Sequence, residues 1–260
     1  SDWSIQLEKE ILDSFKKLQL IYKNLSVAVR SSAIDEDSED SSFAGQQDTF
    51  LNVSSEKHLL KTVKQCFASL FNTHALTYRH HKHINLKNIK ISVGIQKMVR
   101  SDIGSAGVAF SLETESGNDK VITINSSFGL GELKPDEFLL DKRILKLNGD
   151  ALVEKILGNK NIKMVYGSSS SILVDKIETN EKERNKFSLN NKDVHILGNS
   201  ILLLEKEYRK IFNKDIAIDV EWALDGIDKK IYIVQVRPET IHSNKSNNLI
   251  IERYYLKEHS

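Results

Sequence analysis

Apolar residues in the first third of the chain recur at spacings of three and four. Ile5, Ile11, Leu12, Phe15, Leu18 and Tyr22 punctuate the charged stretch 4–23, and Leu59, Leu60, Val63, Cys66, Phe67, Leu70 and Phe71 punctuate 56–79. That spacing stacks side chains on one face of a helix, so two amphipathic helices are predicted, with a short strand from Leu25 to Arg30 between them. The pattern then changes. Residues 89–99, 107–112 and 120–126 are short, β-branched and separated by Ser, Asp and Gly, which predicts an antiparallel sheet. Residues 175–195 are charged, Asn-rich and without period, and read as a surface excursion; a third helix is predicted over 199–212. Residues 241–260 lose patterning at Ser243 to Asn248 and read as a linker. There is no internal repeat.

Near the end of the chain, two strand patterns carry chemistry. In Asp219-Val220-Glu221-Trp222, the two carboxylates alternate with apolar positions and share one face; Gln235 and Arg237 alternate likewise with Val234 and Val236. An antiparallel hairpin centred on Asp228 pairs 219 with 237 and 221 with 235. Two carboxylates, an amide and a guanidinium then meet on one face. Oxygen ligands of this kind suit Mg²⁺ shared with phosphate, and an adjacent Arg holds phosphate oxygens. The same alternation fits a cross-strand ion pair on a solvated sheet face, and periodicity leaves both readings open.

Size and charge narrow the class without choosing between them. The chain has 260 residues, enough for one large domain or two small ones, and 37 basic against 36 acidic residues. A net charge of +1 gives no global field that selects nucleic acid or an anionic membrane. One cysteine, Cys66, excludes an internal disulfide framework and fits a reducing compartment. No apolar run approaches the roughly 18–20 residues that span a bilayer, and the first residues show no signal-peptide pattern, so a cytoplasmic protein is expected.

A second segment offers a workable way to bring charge to phosphate. Val27-Ala28-Val29-Arg30-Ser31-Ser32 ends a strand with a cation and two hydroxyls, followed by an acidic run over 35–40 and the glycine-containing stretch from Ser42 to Thr49. Ordinary strand–turn punctuation explains the Ser and Gly equally well. His74, His80, His81 and His83 lack a partner carboxylate or thiol at ligand spacing, and read as a solvated basic helix end. The run from Gly167 to Ser171 reads as a flexible loop. Gly129-Leu130-Gly131-Glu132 is read as a turn near the ligand, with Glu132 a candidate metal or supporting residue.

Ten ordered blocks carry a family resemblance. They are V-R-S-S-A-x-x-E-D at 29–37, S-F-A-G-Q-Q-D-T-F-L-N-V at 42–53, F-A-S-L-F-N at 67–72, V-G-I-Q-K-M-V-R-S-D at 93–102 and T-E-S-G at 114–117. G-L-G-E at 129–132, P-D-E-F at 135–138, K-M-V-Y at 163–166, D-V-E-W at 219–222 and I-V-Q-V-R-P-E-T at 233–240 complete the set. In this order the chain resembles the nucleotide-binding domain of the phosphoenolpyruvate synthases (pyruvate, water dikinases), a domain type shared with pyruvate, phosphate dikinases and rifampicin phosphotransferases.

The resemblance implies an α+β, ATP-grasp nucleotide-binding domain lacking the start of its first lobe. Residues 1–95 would form part of the first lobe, 96–240 the second, and 241–260 a linker toward a phosphohistidine domain. It implies ATP and Mg²⁺ as cofactors, with ATP cleaved to AMP and phosphate as the β-phosphoryl group passes to a His and then to pyruvate. Arg30 and Arg237 are implied as the phosphate-binding, catalytic arginines. Asp219, Glu221 and Gln235 are implied as Mg²⁺ ligands, and the backbone of Gln96-Lys97-Met98-Val99 as the adenine-reading hinge. The phosphohistidine and pyruvate-binding domains are expected outside this chain, and a homodimer of the full enzyme is possible.

Three departures qualify that picture. No Gly-Gly-Lys occurs, although the family domain opens with a glycine-rich Lys segment; only Leu133-Lys134 stand where relatives carry a longer strand-forming stretch; and the acceptor domains are missing. By itself the chain is therefore not expected to make phosphoenolpyruvate. An antibiotic phosphotransferase domain, or a non-catalytic remnant of a split or decaying gene, are the alternatives that the sequence leaves open.

Overall fold

The computed structural model describes residues 4–33, 37–38, 41–42, 49–73, 76–77, 91–131, 135–169 and 172–239. The expected linker 241–260, Glu132, and His74, His80, His81 and His83 lie outside these residues, as does most of the acidic run 35–40.

Helix α1 (Ile5–Ile21) begins where the Ser4 hydroxyl accepts the Leu7 amide, and α2 (Glu56–Ala68) where Ser55 accepts from His58. The expected apolar faces form: Phe15 from α1 and Leu59, Val63 and Cys66 from α2 are buried. α2 stops earlier than its pattern suggests. Ser69 donates from its hydroxyl to the Cys66 carbonyl at 2.7 Å, and a 3₁₀ turn, Ser69–Phe71, replaces the next helical turn.

Both helices pack on a three-stranded antiparallel sheet. Strand β1 (Val27–Ala33) lies at its centre, and the short pair β2 (Asp37–Ser38) and β3 (Ser41–Ser42) follows; β4 (Thr49–Val53) and β5 (Ile91–Lys97) flank β1. Val27 and Val29 point to the helices and are fully buried, so Ala28 and Arg30 point to the other face. This core draws on residues 11–95 and, from further on, Leu173.

A six-stranded antiparallel sheet carries the second core. Its strands are β6 (Ser105–Phe110), β7 (Val121–Phe128), β8 (Asp136–Asp141), β9 (Leu152–Ile156), β12 (Ile218–Leu224) and β13 (Ile231–Pro238), in the order β13-β12-β6-β7-β8-β9. The short helix α3 (Lys142–Lys146) follows β8. Ile122, Ile124, Phe138, Leu140, Ile218 and Val220 pack under Val194, Leu197 and Ile201 of the long helix. A separate hairpin, β10 (Ile162–Ser169) and β11 (Ile172–Glu178), joins the halves: Asn52 Nδ2 donates to the Leu173 carbonyl at 2.9 Å, and the Leu130 amide to the Met164 carbonyl at 2.9 Å.

Three expectations are corrected here. β5 does not join the sheet of β6 and β7 but pairs with β1, seven rungs in register, because strand partners are chosen across the fold and not by proximity along the chain. The supposed excursion over 175–195 is structured: it contains most of β11, α4 (Glu181–Arg184) and the start of α5 (Asn191–Phe212). Its asparagines misled the reading because Asn190 is a helix cap, accepting from the Asp193 amide at 2.9 Å, and not part of a loop. Gly167 likewise belongs to β10 and not to a flexible loop.

Candidate functional site

The hairpin of β12 and β13 forms with the expected register: Asp219 opposite Arg237 and Glu221 opposite Gln235. Beyond that rung the ladder slips by one residue, Trp222 pairing with Ile233, so Val234 is left over as a bulge. The hairpin is therefore not symmetric about Asp228. Its turn is organised by the buried Asp225, whose carboxylate accepts from the Ile227 amide at 2.7 Å and the Arg100 amide at 3.1 Å. The Val234 carbonyl accepts from Gln96 Nε2 at 3.3 Å, across from β5.

Arg30 reaches the same place from the other sheet. Its Nη2 donates to Glu221 Oε2 at 2.9 Å and also to Gln235 Oε1. Arg237 Nη2 lies 3.2 Å from Asp219 Oδ2 and 3.6 Å from Glu221 Oε1, so the Glu221 carboxylate stands between two guanidinium groups. Two arginines and two carboxylates thus face one another in a partly buried cluster, with the buried Glu239 near Asp219. Asp219 is the least well served member: its Oδ1 is buried without a hydrogen-bond partner, and burial pushes its carboxyl above the ordinary value despite Arg237. A desolvated carboxylate oxygen with no donor is a place prepared for a cation. Among the described residues no group of three or more His, Cys, Asp and Glu side chains is placed to hold a metal, so any cation site here rests on two carboxylates and an amide.

This cluster borders a cavity of about 800 Å³ between the two sheets, lined by Arg30 and Glu221 and by Gln96, Lys97, Met98 and Val99. Its volume falls in the range of small-molecule sites. The segment 96–99 ends β5, an edge strand, and its backbone is partly committed: the Met98 amide donates to the Ser26 carbonyl at 2.8 Å, and the Val99 carbonyl accepts from the Ser101 amide at 2.8 Å. Lys97 Nζ sits over the Tyr22 ring, 4.8 Å from its centre. Asp219, Gln235 and Arg237 stand outside the lining, on the hairpin beside and behind Glu221.

Sequence reasoning missed the network that follows the 96–99 segment. Arg100 donates through Nε and Nη2 to both oxygens of the buried Asp102, at 2.8 and 2.9 Å, and lies over the Tyr166 ring. Burial pushes the Tyr166 hydroxyl up to about 12. The signal was present in Arg100-Ser101-Asp102, a cation and an anion two residues apart. The turn that the sequence placed near the ligand does border the cavity: Gly129 and Gly131 adopt positive φ, and a Cβ on Gly129 would lie 2.2 Å from the Met164 carbonyl oxygen, so only glycine brings Leu130 and Gly131 to the wall.

Residues 1–258 match the pyruvate phosphate dikinase AMP/ATP-binding domain. The chain is 41% identical over 266 residues to the phosphoenolpyruvate synthase of Pseudomonas aeruginosa strain UCBPP-PA14, which covers 99% of this chain and 33% of that protein. It is 42% identical over 252 residues to that of Aquifex aeolicus, covering 94% of this chain and 29% of the relative, and 41% identical over 261 residues to that of Escherichia coli K12, covering 96% and 32%. The chain thus spans about a third of the length of these relatives. No helix among the described residues is long and apolar enough to cross a membrane. A cavity bordered by paired arginines and carboxylates and a match over nearly the whole chain lead to one assignment: this chain belongs to the pyruvate phosphate dikinase AMP/ATP-binding domain family.

Proposed function

We propose that the chain is the ATP-binding and ATP-cleaving part of a phosphoenolpyruvate synthase, built as an ATP-grasp domain with residues 1–95 forming part of its first lobe and 96–240 its second. The observation that carries this reading is the convergence of Arg30, Glu221, Gln235 and Arg237, from two sheets, beside one cavity. In it, ATP lies with its adenine along Gln96 to Val99 and its phosphates toward Arg30 and Arg237. Asp219 through its orphan Oδ1, Glu221 and Gln235 would hold Mg²⁺, a donor set of hard oxygens that fits this ion. When bound, the metal neutralises charge on the transferring phosphoryl group.

The protein's own part is positioning. Both guanidinium groups are about four-fifths buried, so their charge acts on phosphate oxygens with little screening by water. β12 and β13 fix the spacing of the carboxylates, and the Arg100–Asp102–Asp225 network fixes the chain leaving the hinge. On this reading the β-phosphoryl group passes to a His that these residues do not supply and then to pyruvate, in keeping with relatives that are named phosphoenolpyruvate synthases.

Calorimetry with a non-hydrolysable ATP analogue and Mg²⁺ tests the assignment. Arg237→Ala removes a charge-assisted contact of about 1.5–3 kcal/mol, so affinity should fall roughly 10- to 100-fold while the far-ultraviolet circular dichroism is unchanged. Undiminished affinity in that variant would remove Arg237 from the site.

A further inference from the structure

Arg30 is anchored in β1, in one sheet, yet its Nη2 lies between Glu221 Oε2 and Gln235 Oε1 in the other. Those two oxygens are the ones assigned above to a divalent cation. A carboxylate oxygen and an amide oxygen that accept from one nitrogen converge on a point where positive charge is favoured. A guanidinium nitrogen and a metal ion satisfy that point equally well and cannot share it. The neighbouring Gln96 adds a second tie. Ala28 pairs with Gln96 and Arg30 with Gly94, so Arg30 and Gln96 project from the same face of the small sheet, and both reach the β12–β13 hairpin.

We infer that Arg30 is an internal counter-ion that pairs with Glu221 and latches the site before nucleotide arrives, and that metal and nucleotide enter together by exchange. The cation takes Glu221 and Gln235 as Arg30 turns onto phosphate oxygens. The inference rests on the ATP and Mg²⁺ reading and concerns how that site is controlled. Charge accounts for the coupling. In the resting cluster Glu221 and Asp219 each have an arginine partner. With metal and triphosphate both present, every group again has an opposite partner. With the metal alone, Arg30 is displaced beside a like charge and has no new anion to meet. Free divalent cation therefore binds weakly, and the nucleotide brings it in.

The test uses Mn²⁺ alone as the probe, with free Mn²⁺ counted by electron paramagnetic resonance in the absence of nucleotide. Arg30→Gln should bind Mn²⁺ about tenfold more tightly than the unmodified chain, the scale of effect that one nearby positive charge has on a competing cation. Arg30→Lys, which keeps the charge, should stay at the unmodified affinity. Arg30→Met provides a second uncharged variant should the glutamine variant fold poorly. Uncharged variants that bind Mn²⁺ no better than the unmodified chain overturn the exchange. Calorimetry with the ATP analogue keeps the two claims apart. If the unmodified chain binds nucleotide but Arg30→Gln gains no Mn²⁺ affinity, only the exchange falls; if the unmodified chain binds no nucleotide, the ATP reading falls and the exchange with it.

Discussion

Asp136 and Lys160 form a buried ion pair next to Pro135 of the cavity wall, and separating them should be costly. Asp136 is fully buried and Lys160 is 1% exposed. The carboxylate accepts from Lys160 Nζ, from the Gly158 amide at 2.9 Å, and from the Ser188 amide and hydroxyl at 2.7 and 2.6 Å. One side chain thereby ties β8 to the loop before β10 and to the approach to α5, directly after Pro135 of the cavity wall. Asp136→Asn keeps the shape and removes the charge. The Lys160 ammonium is then buried without a counter-ion, and the new amide group turns donors toward donors. Breaking a buried pair from one side costs about 3–5 kcal/mol, whereas removing both charges costs far less, because the desolvation penalty disappears with them. At about 2–4 °C per kcal/mol for a chain of this size, the thermal midpoint should fall by roughly 6–20 °C. Urea unfolding followed by circular dichroism measures the loss directly, and adding Lys160→Met to Asp136→Asn should recover more than half of it. A single variant that loses less than about 1 kcal/mol, or a double variant no more stable than the single, would refute the reasoning.

Two further outcomes follow from the geometry. Gly129→Ala places a Cβ against the Met164 carbonyl at positive φ, so about 1–3 kcal/mol of stability should be lost together with nucleotide affinity, as Leu130 and Gly131 leave the wall; denaturation and calorimetry on one preparation read both. Asp219 has its pKa raised by burial, so it favours folding fully below its unfolded value, near 3.8, and that contribution is lost as pH rises through the folded value. Asp219→Asn should therefore flatten the metal-free stability profile from that unfolded value upward, and an unchanged slope would show that the carboxylate is not desolvated.

Period and alternation made much of this protein legible. The spacing around Phe15 and around Val63 requires one buried helical face each, and α1 and α2 have them. Alternation in 219–222 and 234–237 requires Asp219 with Glu221, and Gln235 with Arg237, on one face, and the cross-strand pairs form as expected. Side-chain direction along a strand is a local property, so a local pattern suffices. Helix caps were less legible, since Asn190 caps α5 with the same chemistry that makes asparagine common in loops.

What the pattern could not decide was which strands meet. β5 joins β1 and not β6, and this alone brings Gln96 and Arg30 onto one face, from which Gln96 reaches the Val234 carbonyl at the bulge. The contact of Arg30 with Glu221 spans 191 positions of chain, and the orphan oxygen of Asp219 exists only because the packed sheets exclude water. Periodicity records which face a residue takes on its own element. Partnership between elements, and the desolvation that gives a charge its chemical meaning, arise only when distant segments pack together.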